Sequence, residues 1–455
     1  MTELSADVAV VGAGLAGLSA ALGLVTRRPG LDVAVLEAAM PGAGASGHGT
    51  GLLGPRIGPP IDRLRRRYGD PVARRMYLAS VAAVRDVLAR CDRLGVDCGP
   101  REGGQLVVAR TARAEAALRR RADGYAALGL DVPLLSGADL RDLLDVPYRA
   151  ALRYRPAATL DPAALTRALA GAAAARGVRI HPHTPVRAIR RGRTGPELAL
   201  AVGRLTCRTV IVTVNGYAPA LRLPVGSLLP LQAHAVATAP LPAAARAALG
   251  EHAVIEAGQL APYHRLTPDG RLVLGGGPVL LASRASAAAA REAWRWLAGR
   301  VRALHPSLRE VEVAQRWSGR IAMTLDDLPV VGRVGGRDDI WFAGGCCGHG
   351  LAMSVAHGDW LAAAVLGDRA READRAREAD PAREADPARE ADPAPEAGAG
   401  PPLPWHRDRA PRVPLGGPAR PVLRLYLGAL ARRARRDADR ADRAVQEGAK
   451  PCANR

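Results

Sequence analysis

One stretch near the N-terminus restricts the fold more than any other. Val8-Ala-Val-Val11 is an apolar run, Gly12-Ala-Gly14-Leu-Ala-Gly17 follows it, and small and apolar residues continue to Val25. That order reads as strand, glycine turn and helix. Gly12 permits the tight turn, Gly14 lets the backbone approach a pyrophosphate, and Gly17 lets the helix pack closely on the strand. The helix start then offers free N–H groups and the positive end of its dipole to phosphates. A second strand, Asp32-Val-Ala-Val-Leu-Glu37, ends on an acid 20 positions after Gly17, the spacing of the carboxylate that accepts ribose hydroxyls. The pattern predicts a bound dinucleotide, and Glu37 disfavours NADP because it repels a 2′-phosphate. The apolar run Val8–Val25 is long enough to raise the question of a membrane span, but its ordered glycines favour a soluble reading.

Composition narrows the chemistry. The chain has 455 residues and a formal charge of +20, yet Lys450 is its only lysine. A pyridoxal-phosphate enzyme needs an internal lysine and a P-loop enzyme needs Gly-Lys-Ser/Thr, so both classes are excluded. The arginines are scattered and aromatic residues make up 3%, which argues against nucleic-acid binding. With Phe342 the lone phenylalanine, the core must be built from Leu, Val, Ile and Ala. Cys91, Cys98, Cys207, Cys346, Cys347 and Cys452 are too few for a disulfide framework and lack zinc spacing; no metal is expected. Acidic residues in Met1–Asp7 stand where a secretory leader is basic, so a cytoplasmic location is expected.

Two further glycine clusters favour a flavin over a nicotinamide. Pro41–Gly54 follows the acidic strand directly, and Trp341-Phe-Ala-Gly-Gly-Cys-Cys-Gly-His-Gly-Leu351 leads into an apolar helix to about Leu366. Such loops let backbone amides reach a flat ring, and the second helix start aims positive dipole at a developing anion. With these in place, residues 5–367 resemble the FAD-dependent oxidoreductases of the D-amino acid oxidase type. The landmarks are Gly44-Ala-Ser-Gly47, Gly177–Val186, Val210–Tyr217, Tyr263–Gly277, Trp317-Ser-Gly-Arg320, Asp326–Gly332 and Gly348-His-Gly350. Within the family the likeness is nearest to the γ-glutamylputrescine oxidase type. The resemblance implies FAD held by Gly12, Gly14, Gly17 and Glu37 at its ADP half and by Ser46, Gly47, His48, Gly49 and Thr50 along the pyrophosphate and ring. Val186 would meet the adenine side, and Gly345, Gly348, Gly350 and Leu351 would face the isoalloxazine.

The chain departs from the pattern in places. The subgroup's Arg-Asn pair is His48-Gly49 here. A dimethylglycine dehydrogenase-like branch carries a flavin-bonded histidine at the matching position, so a covalent link at His48 is weighed against the favoured non-covalent FAD. The attachment cysteine of sarcosine oxidase-like members has no counterpart in Trp317–Thr324, and Cys346 and Cys347 read as small buried residues. Some relatives use a lysine to assist oxygen; here His349 or His234 would have to substitute, which leaves oxidase and dehydrogenase both open.

The resemblance implies oxidation of a C–N bond by hydride transfer to flavin, giving an imine that hydrolyses. The partners are a small amine or amino acid and oxygen or another acceptor. The residues assigned to substrate are Arg320 for a carboxylate, with Arg265 and Arg56 behind it, His349 beside the flavin, and Tyr263 and Trp317 as pocket walls. His181 and His183 are read as decorating a strand and turn. Two alternatives are a flavin dehydrogenase of a hydroxy compound on the same fold and a non-catalytic flavin-binding scaffold.

The expected fold class is α/β: a Rossmann-like FAD domain from 1–95, 150–225 and 325–367, and a mainly antiparallel substrate domain from 96–149 and 226–324. Helices are expected over 14–27, 71–94, 111–128, 162–176 and 286–303, the fourth opening at Pro162. Arg-Glu-Ala-Asp recurs at 371–374, 377–380, 383–386 and 389–392, within a solvated, disordered low-complexity linker expected over 368–421. A basic amphipathic helix is expected over 422–447, docked on the enzyme or resting on an anionic membrane surface.

Overall fold

Glu3–Val11 is the middle strand of the first sheet. It pairs in parallel with Val33–Leu36 on one side and Arg204–Val212 on the other. Arg179–His181 extends the sheet beyond Val33–Leu36, and Arg337–Gly344 extends it beyond Arg204–Val212, both in parallel. Val330–Val334 closes that edge antiparallel. The computed structural model that gives this arrangement describes residues 3–367 and 403–411, apart from Gln259 and Pro278. Strand Val33–Leu36 is buried throughout, as expected of a parallel strand covered on both faces.

The register decides where the chemistry lies. Val11 is level with both Leu36 and Val212, and Val212 is level with Phe342. Gly12, Glu37, Thr213 and the glycines after Ala343 therefore leave the sheet along one edge, the carboxyl ends of the parallel strands, where open α/β sheets bind ligands. Helices Leu15–Arg27 and Gly350–Val365 cross at close range. A Cβ on Gly358 would lie 2.3 Å from the Ala16 carbonyl oxygen, and one on Gly23 would lie 2.9 Å from the Ala362 methyl. The small residues let both helices begin at the same ligand edge.

Among the described residues the second sheet has nine strands. Leu229–Pro240 pairs antiparallel with Val313–Met323 along most of its length, and Arg271–Gly275, Tyr263–Leu266 and Ala253–Glu256 follow in antiparallel order. Gln105–Ala109 joins in parallel beside Ala253–Glu256. Helix Ala287–Leu304 covers the sheet through Leu297, Val301 and Leu304, which share a core with Leu106, Val236, Leu272 and Leu274.

The mixed α/β class expected from the sequence is what the structure shows. Two expectations need correction. The boundary at residue 150 assigned Ala150–Tyr154 to the nucleotide domain, whereas this strand lies in the second sheet between Gln105–Ala109 and Leu134–Ser136. Helix Gly137–Arg141 connects Leu134–Ser136 to Ala150–Tyr154, and the two strands pair antiparallel in the second sheet. The linker expected over 368–421 is interrupted: Leu403–Pro411 lies on the first sheet, with Trp405 only 2% exposed. The repeats at 371–392 and the helix expected over 422–447 lie outside the described residues. Among the described residues, no helix is long and apolar enough to cross a membrane, and no group of residues is arranged to hold a metal ion.

Candidate active site

A cavity of about 780 Å³ runs from the ligand edge of the first sheet to the face of the second. Its first end is built by the N-terminal motif. Gly12 has φ of +105°, a conformation side chains rarely adopt. The Glu37 carboxylate accepts the Ala13 and Ala39 N–H groups at 2.8 and 3.0 Å, which fixes it at the strand end. The Ser46 hydroxyl accepts the Leu15 N–H at 3.0 Å, tying the second glycine loop to the helix start. A Cβ on Gly14 would lie 2.8 Å from that hydroxyl oxygen. Pro185 and Val186 close the same end beside Ala38 and Ala39.

The opposite end is formed by the last glycine cluster and the second sheet. Gly345 donates its N–H to the Asn215 side-chain oxygen at 2.9 Å, and Cys347 adopts φ of +51°. Gly348, His349, Gly350 and Leu351 line the wall at the start of their helix. From the second sheet come Tyr263, Trp317 and Arg320. The Trp317 indole N–H donates to the His48 carbonyl at 2.9 Å, so the Pro41–Gly54 loop and the second sheet meet at this pair. Arg320 stacks on Tyr217, its guanidinium carbon 4.6 Å from the ring centroid, and its Nε is buried without a hydrogen-bond partner. Among the described residues Arg320 makes no ion pair.

Of the residues assigned from sequence, the cavity gathers Gly12, Gly14, Glu37, Ser46, His48, Gly49, Thr50, Val186, Gly348, Gly350 and Leu351, with Tyr263, Trp317, Arg320 and His349. Gly17, Gly47 and Gly345 do not line it. A Cβ on Gly17 would sit 2.0 Å from the Gly12 carbonyl oxygen, one on Gly47 2.4 Å from the Gly42 carbonyl oxygen, and one on Gly345 2.8 Å from the Thr324 methyl. These three glycines shape the cradle from behind, Gly17 and Gly47 where backbone passes against backbone and Gly345 where side chains press on it.

Arg265 is also placed differently from its candidate role. Its guanidinium donates to the carbonyls of Thr50, Leu160 and Leu266, and burial lowers its pKa to about 10. It braces the wall and has no face for a substrate anion. His349 and His234 were candidate cations for oxygen chemistry. Burial pushes both below the ordinary imidazole value, and the Arg56 charge lowers His349 further, so both are neutral at pH 7. The cations that line the cavity among the described residues are Arg56 and Arg320. Cys346 and Cys347 are held as unreactive thiols by burial. Tyr217, Gln105 and Asp327 line the wall without having been singled out. Tyr217 and Asp327 belong to the Val210–Tyr217 and Asp326–Gly332 landmarks but carry no assigned role there, and no motif marks Gln105.

The donor set fits a flavin dinucleotide. Two helix starts and two glycine loops supply N–H groups and room for flat rings, and the Glu37 carboxylate stands at the strand end in the same cavity. This defines a flavin-dependent enzyme. Comparison with known proteins agrees. Residues 7–364 match the family of FAD dependent oxidoreductases designated DAO, and the chain belongs to that family. It is 30% identical over 375 residues to the γ-glutamylputrescine oxidoreductase of Escherichia coli (strain K12), covering 81% of this chain and 85% of the relative. It is 27% identical over 366 residues to the glycine oxidase of Geobacillus kaustophilus (strain HTA426), covering 77% and 90%. The solved structure of glycine oxidase from Geobacillus kaustophilus superimposes with a TM-score of 0.67 at 25% identity, over 80% of this chain and 95% of that one. The protein is thus an FAD-dependent oxidoreductase.

Proposed function

We propose that the chain oxidises the C–N bond of an amine or amino acid to an imine that hydrolyses in water. FAD, when bound, supplies the hydride acceptor. The observation that carries this reading is Arg320, a guanidinium in the cavity wall with Tyr217 on one face and no acidic partner among the described residues. An arginine so placed receives a carboxylate through two parallel hydrogen bonds. The names of two relatives, γ-glutamylputrescine oxidoreductase and glycine oxidase, describe amino substrates and support the same reading.

The other wall residues prepare the substrate. A protonated amine cannot release hydride, and the positive charges of Arg320 and Arg56 favour its neutral form. Tyr263 and Trp317 present aromatic walls that exclude water and fix the carbon to be oxidised. Neutral His349 adds bulk beside the ring site without adding charge. FAD is held non-covalently in this reading. His48 is exposed, and its Nδ1 donates to the Gly44 carbonyl at 3.1 Å.

The test is a steady-state screen of amines, D- and L-amino acids and the matching hydroxy acids with a dye acceptor. Turnover is expected with at least one amino compound and with none of its hydroxy counterparts. Turnover confined to hydroxy compounds would replace this reading with alcohol oxidation on the same fold.

A further inference from the structure

The family match ends at residue 364, yet Leu403–Pro411 is built into the body of the enzyme. Trp405 is buried against His357, with ring centroids 6.4 Å apart, and His406 stacks on Trp360 at 4.4 Å and 13°. Both partners belong to the helix whose start faces the cavity. The backbone is docked as well. Val331 donates to the Trp405 carbonyl and Arg407 donates back to the Val331 carbonyl, each at 2.9 Å, while Ala410 donates to Val225 at 2.8 Å. A Cβ on Gly226 would lie 2.1 Å from the Ala410 carbonyl oxygen.

Arg407 is the centre of this contact. Its two terminal nitrogens grip both oxygens of the Asp326 carboxylate. One of them also donates to the Leu328 carbonyl at 2.7 Å, and Nε donates to the Pro329 carbonyl at 3.0 Å. The loop so held turns through Asp327 at φ of +58°, and Thr324, Leu325 and Asp327 line the cavity. The tie continues inward. The Thr324 hydroxyl donates to the same Leu328 carbonyl at 2.8 Å, and the Thr324 N–H meets the Cys347 sulfur at 3.4 Å. Cys347 donates its own N–H to the Ala322 carbonyl at 3.1 Å, next to the glycines that face the ring site. Arg67 lies at 3.7 Å from Asp326 at the rim and adds a weaker second cation.

We propose that Leu403–Pro411 is a clamp that completes the FAD site, with Arg407 as a positioning residue acting through Asp326 and the 324–329 loop on the Cys346–Gly350 wall. A bidentate arginine on a buried carboxylate fixes orientation as well as distance. The clamp also grips the outer face of the helix that presents Gly350. Two separate parts of the flavin wall are therefore set by residues beyond the family match.

The experiment uses the full-length holoenzyme and Arg407→Ala, Arg407→Lys, Asp326→Asn and the Arg407→Ala/Asp326→Asn double variant. FAD affinity, flavin midpoint potential and thermal unfolding are measured for each, none of which depends on knowing the amine substrate. Arg407→Ala and Asp326→Asn are each expected to weaken FAD binding by about tenfold and to shift the potential of the flavin that remains bound. The double variant is expected to be no worse than either single one, because the two side chains act as one unit. Arg407→Lys, which keeps the charge and loses the fork, is expected to recover folding and only part of the affinity. Wild-type FAD affinity and potential in Arg407→Lys and Asp326→Asn, whatever happens to the unfolding temperature, would overturn the proposal.

Discussion

Arg320 and Arg265 are both candidate anion receptors by residue type; their surroundings separate them. Arg265 donates to three carbonyls, whereas among the described residues Arg320 stacks on the Tyr217 ring and makes no ion pair. Arg320→Ala is therefore expected to raise KM for a carboxylate-bearing substrate by about tenfold to a hundredfold while FAD content stays unchanged. A steady-state assay beside a flavin absorbance measurement checks both halves. Arg265→Ala is expected to act differently, loosening the wall and lowering FAD retention together with stability. Two buried histidines set a second expectation. His264 and His357 are pushed down to about 3, the first by burial and then by Arg110 and Arg300, the second by burial. Unfolded, each takes up a proton near the ordinary value of 6.5, so the unfolded state binds more protons below that pH. The stability they permit is complete above pH 6.5 and is lost as pH falls toward 3, by about 1.4 kcal/mol per pH unit for each histidine at the steepest. Chemical denaturation between pH 8 and pH 4 measures this slope, and His264→Gln with His357→Gln is expected to flatten it.

At the scale of elements, the first turn depends on what a glycine lacks. Gly17→Ala would bring a methyl within 2.0 Å of the Gly12 carbonyl and 2.6 Å of the Thr213 hydroxyl, so strand and helix must part. A loss of about 1–3 kcal/mol in the unfolding of the apoprotein is expected, with weaker FAD binding, measured by denaturant titration and flavin fluorescence. This part of the fold was legible because its rules are local. The helix expected from Pro162 runs Pro162–Ala174, with the Asp161 side chain accepting the Ala163 and Ala164 N–H groups. Strand Ala150–Tyr154 was misplaced because an apolar strand carries no mark of the sheet it joins. Leu403–Pro411 was read as linker because its proline-rich composition hides a Trp405 whose partners lie in Val331 and His357. Burial by residues distant in sequence leaves no periodicity to detect.

At the scale of the molecule, function follows from how two sheets share one cavity. The parallel sheet brings glycines, Glu37 and two helix starts to a single edge, and the antiparallel sheet sets Tyr263, Trp317 and Arg320 opposite. Most of the residues that motif order assigned to the cofactor line the cavity, since turn and dipole act through near neighbours. The residues that the resemblance assigned to substrate, Tyr263, Trp317, Arg320 and His349, line the same cavity although they are far apart in sequence, so no local pattern marks them as neighbours. The net charge of +20 has one local meaning here: among the described residues, Arg56 and Arg320 are the arginines that line the cavity. Acid precipitation of the holoenzyme is expected to leave its yellow colour in the supernatant; colour retained in the pellet would instead assign a covalent bond to the protein, with His48 the first residue to replace. The central claim is tested most directly by adding amines and amino acids to the oxidised holoenzyme without oxygen and following its visible absorption. Bleaching of the flavin band by an amino compound, with no bleaching by its hydroxy analogue, is the predicted result. A band unchanged by every amine and amino acid, or bleached only by the hydroxy analogues, would contradict the account.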